Sequence, residues 1–118
     1  MDIGIRRVYD PPKKGEGFRV LIDRLWPRGV RKDDLEYDLW EKEIAPTPEL
    51  RKWFGHSPDR WDGFREKYRK ELEAPQTRQR LREILEAAGK RNITLLYGAR
   101  DPEHNHALIL ADAFKRLY

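Results

Sequence analysis

Two short polar stretches of this 118-residue chain gather the residue types that chemistry needs. The first is Asp23-Arg24-Leu25-Trp26-Pro27-Arg28-Gly29. Arg24 and Arg28 each present a planar fork that matches phosphate or carboxylate. Gly29 permits close backbone approach, and Trp26 can wall a pocket or stack on a planar ligand. The plain alternative is an Arg–Asp pair fixing a turn, with Trp26 in the core. The second stretch is Gly98-Ala99-Arg100-Asp101-Pro102-Glu103-His104-Asn105-His106. It is expected to run from a strand into a helix start, where unpaired backbone N–H groups favour anions. Arg100 adds a full charge there. His104 is the candidate acid/base, because a helix N-terminus favours the neutral imidazole that a base requires. Asp23 or Asp101 would orient a partner group, and Asn105 would hydrogen-bond substrate. The plain alternative gives Asp101 a capping role only and leaves the histidines solvated.

Other chemistries find less support. There is no Cys, which removes disulfides, thiolate zinc sites and a cysteine nucleophile. His104 and His106 are two apart and on a helix would diverge by about 200°. His56 is distant in sequence, so neither a metal nor any other cofactor is expected. The one serine, Ser57, lies at an expected helix cap and not in a nucleophile elbow. Neither a P-loop nor a dinucleotide fingerprint occurs, and no pair among the 21 acids stands out as a hydrolase dyad.

Charged residues make up 39% of the chain, against about 25% in an ordinary domain, yet the net charge is only +4. Few Asn and Gln and many ion-forming residues suggest a thermophilic source. That reading makes the charge chiefly a stability device. No apolar run approaches the roughly 18 residues that span a bilayer. Arg6 and Arg7 interrupt the start where a signal peptide would be apolar. The expectation is a cytoplasmic protein with no membrane partner, a small anionic ligand as partner, and an oligomeric state left open.

The elements that must position these residues follow from periodicity. Ile3, Ile5 and Arg7-Val8 read as a first strand, ended by Asp10-Pro11-Pro12. Phe18, Val20 and Ile22 alternate with Arg19, Leu21 and Asp23 as a second. A short third is placed at Tyr37-Asp38-Leu39-Trp40. Thr47-Pro48 and Ser57-Pro58 both read as a cap followed by proline at the first helical position. The first helix would turn Leu50, Trp53 and Phe54 to one face. The next carries Trp61, Phe64, Tyr68 and Leu72 as its apolar stripe. Thr77 is the expected cap of a third helix, with Gly89 at its end. Ile93 to Tyr97 is a buried strand. Asp101-Pro102 would open a last helix bearing Ala107, Leu110, Ala111 and Phe114.

The predicted fold class is α/β: one compact domain over 1–118, in the order βββαααβα. A small, partly parallel sheet would be flanked by helices in Rossmann-like layering. Ligands in such sheets sit beyond the C-terminal strand ends, which is where both polar stretches fall.

Three blocks together resemble one family: Arg7-Val8-Tyr9-Asp10, then Arg19 through Gly29 with its DRLWPRG core, then Thr94 through Asp101 leading to His104-Asn105. The chain is similar over nearly its whole length to the YeaO-like group of small bacterial and archaeal proteins, domain of unknown function 488. The resemblance implies a compact α/β domain and brings no activity with it. The functional expectation therefore rests on the residues: a pocket between the two stretches, with Arg24, Arg28 and Arg100 holding a phosphate or carboxylate ligand. Hydrolysis or group transfer on a phosphorylated metabolite is the nominal reaction. The alternative is a nucleic-acid-binding module using the basic helical segment 60–82.

Overall fold

A computed structural model describes residues 1–117 of the chain. Four strands, β1 (Ile3–Arg7), β2 (Phe18–Leu21), β3 (Leu39–Trp40) and β4 (Ile93–Tyr97), form one sheet in the order β1-β4-β2-β3. All three pairings are parallel, so the expected parallel character extends across the whole sheet. The helices are α1 (Pro48–Phe54), α2 (Trp61–Leu72), α3 (Pro75–Ala88) and α4 (His106–Lys115). Short 3-10 turns occupy Lys32–Asp34 and Pro58–Arg60. The chain order is the expected βββαααβα. No helix among the described residues is long and apolar enough to cross a membrane.

The alternation of each strand divides its side chains between two faces. On one face Ile3, Phe18, Val20, Ile93, Leu95 and Tyr97 join apolar residues of all four helices in one core. Phe54, Phe64 and Tyr68 stack through that core at centroid separations of 4.3 and 5.8 Å. On the other face Val8, Leu21, Leu35 and Leu96 pack with Trp26, Val30 and Trp40 from the segment after β2. Further down the same face the covering is polar. Glu16 sits 2.9 Å from the buried Arg19 and 3.3 Å from Arg6, and its carbonyl accepts the Thr94 hydroxyl proton at 2.8 Å. The second face is thus closed by loop rather than by helix.

The caps show where local signals held. Thr47 Oγ1 accepts from the Leu50 amide and opens α1, and Gly89 ends α3 at φ 64°. Ser57 instead opens a 3-10 turn that leads into α2, with no side-chain cap bond. α3 starts at Pro75 behind Ala74, so Thr77 lies inside its first turn. Asp101 does not cap α4: its Oδ1 accepts from the Glu103 amide at 2.9 Å in a local turn, and Asn105 is the cap four residues later. Trp53 is half-exposed rather than turned with Leu50 and Phe54 into the core. Its ring fills the space left by the absent side chain of Gly63.

Candidate functional site

Parallel pairing puts the C-terminal ends of all four strands at one edge of the sheet. A cavity of about 400 Å³ opens there, within the size range of small-molecule sites. The loop after β2 forms one wall, from Asp23 to Arg28. Gly98, Ala99 and the segment His104 to His106 form a second, and Arg51, Phe54 and His56 from the end of α1 a third.

Asp23 ties the first two walls together. Its Oδ2 accepts from the Gly98 amide at 2.9 Å. Its Oδ1 is sealed from solvent, makes no hydrogen bond among the described residues, and faces His106 Nε2 at 3.3 Å. The same Nε2 lies 3.0 Å from the Ile22 carbonyl. A carbonyl only accepts, so Nε2 carries a proton, and in neutral His106 the lone pair is on Nδ1. Trp40 Nε1 donates to the Asp23 carbonyl at 2.7 Å and holds that turn from β3.

The other expected residues divide. Arg24 lines the cavity, but its guanidinium already donates to the carbonyls of Ala45 at 3.1 Å and Pro46 at 3.3 Å. It braces the approach to α1 and leaves some of its five N–H groups unassigned. Arg28 is exposed at the cavity. Its carbonyl accepts from Tyr9 Oη at 2.8 Å, whereas its guanidinium has no partner among the described residues. Trp26 is a wall, fixed by Nε1 donating to the Val30 carbonyl and by edge-to-face packing on Trp40 at 5.3 Å.

His104 Nδ1 sits 2.8 Å from Asp101 Oδ2, and its ring stands edge-on to Trp61 at 5.3 Å. The Glu103 amide, then His104, hold the Asp101 carboxyl below its ordinary 3.8. Asn105 is buried and held on both sides: Oδ1 accepts from Leu108 and Nδ2 donates to the Asp101 carbonyl at 2.9 Å. It caps α4 and lines the cavity at once. Arg100 falls outside. Gly98 turns in onto Asp23, Ala99 gives its carbonyl to Arg7 Nε at 2.9 Å, and by Arg100 the chain is exposed and off the cavity lining.

Sequence reasoning overlooked two lining residues, Arg51 and His56. Arg51, in the last turn of α1, has no side-chain partner among the described residues. His56 follows Gly55 at the helix end. The spacing argument about His104 and His106 also changes, since His104 precedes α4 and only His106 lies on it. All three histidines of the chain line this one cavity. Even so, no three potential ligands gather to hold a metal among the described residues.

In segment 60–82, several cations are engaged within the chain. Arg60 donates to the Trp53 carbonyl, and Lys67 lies 5.2 Å from the Trp53 ring centroid. Arg80 pairs with Glu41 and Glu83, and Arg65 approaches Asp62 at 3.9 Å.

Known proteins resemble this chain over nearly the whole of its sequence. The uncharacterized protein YeaO of Escherichia coli K12 is 46% identical over 117 residues, 99% of this chain and 100% of that protein. The uncharacterized proteins Rv3073c of Mycobacterium tuberculosis H37Rv and Mb3100c of Mycobacterium bovis are each 38% identical over 109 residues, 92% of this chain and 90% of theirs. No solved structure is a significant match. The family model DUF488-N3i, described as the inactive DUF488-N3 subclade, matches residues 2–118, and the chain belongs to that family.

Proposed function

We propose that the protein binds a small phosphate- or carboxylate-bearing ligand at this cavity, and that it acts by binding rather than by turnover. The observation that carries the reading is a pair of guanidinium groups without a partner among the described residues, Arg28 and Arg51, on the lining of one cavity. That lining holds three arginines and three histidines against a single carboxylate, Asp23. Asp23 is itself engaged by the Gly98 amide and His106, so it offers an incoming anion little repulsion. A buried anion needs such paired donors, and Arg supplies them in bidentate form.

Two features favour binding over catalysis. No serine, threonine or cysteine lines the cavity, and the Tyr9 hydroxyl is spent on the Arg28 carbonyl. Among the described lining residues a free hydroxyl or thiol nucleophile is therefore lacking. The family description as an inactive subclade points the same way.

Isothermal titration with inorganic phosphate, nucleoside monophosphates and sugar phosphates tests the proposal. The expected result is saturable binding that weakens about tenfold or more in Arg28→Ala and in Arg51→Ala, as losing one charge-assisted hydrogen bond implies. The expected companion result is no release of phosphate from the bound esters. Absence of binding to every probe, or wild-type affinity retained in both variants, overturns it.

A further inference from the structure

Resting on that reading, we propose that His56 is a ligand-contacting residue, held at the cavity by a strained backbone to complete a phosphate subsite with Arg51. His56 has φ 56° and is the only non-glycine at positive φ among the described residues. Left-handed backbone is costly for a residue with a Cβ. Ending α1 does not require this cost. Gly55, at φ 53° and ψ 30°, already supplies the left-handed cap, and its amide bonds the Arg51 carbonyl at 3.0 Å. The turn that follows, with the Ser57 amide on the Phe54 carbonyl at 2.9 Å, would form more easily with glycine at position 56. A histidine there places an imidazole on the cavity lining at a conformational cost, and strain of this kind concentrates at binding sites.

The three histidines also differ in how they are held. His104 is tied to Asp101, and His106 to Ile22 and Asp23. His56 makes no hydrogen bond or ion pair among the described residues, and its ring only tilts against Phe54 at 6.1 Å. It is exposed, so folding gains little from it. Arg51 is likewise unpartnered and stands on the same helix end. A guanidinium fork and an imidazole N–H from one short segment suit a tetrahedral oxyanion, which offers more acceptor oxygens than a carboxylate. Inorganic phosphate, or the phosphate of a monoester, is the chemical class this subsite takes.

Phosphate titration and thermal melting of the wild type, His56→Gly, His56→Asn and Arg28→Ala test the assignment. His56→Gly should melt higher than the wild type without ligand, because glycine relieves the backbone, yet bind inorganic phosphate about tenfold more weakly. His56→Asn, which tolerates the left-handed region and keeps a donor, should retain most of the affinity. Unchanged phosphate affinity in His56→Gly, with affinity lost in Arg28→Ala, overturns the role of His56 and leaves the pocket standing. A His56→Gly protein that melts no higher than wild type overturns the strain argument. A wild type that binds neither phosphate nor any ester brings down both readings.

Discussion

Asp23 Oδ2 accepts the Gly98 amide proton at 2.9 Å across 75 positions of sequence. The bond follows from the ladder beneath it. Leu21 pairs with Leu96 in the parallel register of β2 and β4, and the Ile22 amide donates to the Leu96 carbonyl at 3.0 Å. The chain therefore leaves both strands at the same height, and the two polar stretches meet there. A Cβ on Gly98 would lie 2.9 Å from that same carboxylate oxygen, so the contact depends on glycine at this position.

This contact predicts a coupled mutant cycle. Gly98→Ala must displace Asp23 and break the bond, at a cost of about 1–3 kcal/mol. Asp23→Ala removes the acceptor and should cost a similar amount. With the carboxylate gone, the alanine at 98 has room, so the double variant should be less destabilised than the sum by about 1 kcal/mol or more. Denaturant unfolding of the four proteins measures this, and strict additivity would refute the shared contact.

A pH prediction follows from Asp101. Its carboxyl is held below 3.8 first by the Glu103 amide and then by His104. A carboxyl with a lowered folded value adds stability above its unfolded value and loses it as pH falls through the folded one. The effect belongs to the acid limb, and it is small because the group is exposed to solvent. An NMR titration should place Asp101 below 3.8 in the wild type. His104→Ala should raise it part of the way, since the Glu103 amide remains. A wild-type value at or above 3.8 would contradict the arrangement.

Two glycines in the loop between β1 and β2 separate strain from collision. Gly15 has φ 83° with open space where a Cβ would stand. Gly17 has φ 71°, and its Cβ would fall 2.2 Å from the Asn92 carbonyl oxygen, beside the bond from the Phe18 amide that starts β2. Gly15→Ala should cost about 1 kcal/mol, from backbone conformation alone. Gly17→Ala should cost about 1–2 kcal/mol more, since backbone must shift in addition. Thermal melts compare them directly, and equal losses would count against the close approach at Gly17.

The strands and helices were readable because burial imposes a period. Phe18, Val20 and Ile22 alternate since one face of β2 meets the helices, and Phe64, Tyr68 and Leu72 recur since one side of α2 meets the core. Boundaries were less readable where two local bonds compete. Asp101 and Asn105 are both good caps, and only the path of the chain over the sheet gives Asp101 to a turn and Asn105 to α4. Thr77 lies inside α3 instead, because Pro75 takes the first helical position behind Ala74. Trp53 looked like core by spacing, but the gap at Gly63 that receives it lies on another helix.

For the candidate site, residue types in order along the chain determined that Asp23, Arg24 and Arg28 leave one strand and that His104 and Asn105 lie near a helix start, which the structure moves from Pro102 to His106. The rule for parallel sheets placed them at one edge. Whether a given cation reaches the cavity was decided only by tertiary structure. Arg100 sits next to the site in sequence and outside it in space, while Arg51 and His56, far away along the chain, line it. The reason is physical. Short-range preferences act through the backbone of a few neighbouring residues, whereas the third wall exists because Leu50 and Phe54 must bury themselves in the core. That packing carries the end of α1, and the two side chains on it, to the ends of the strands.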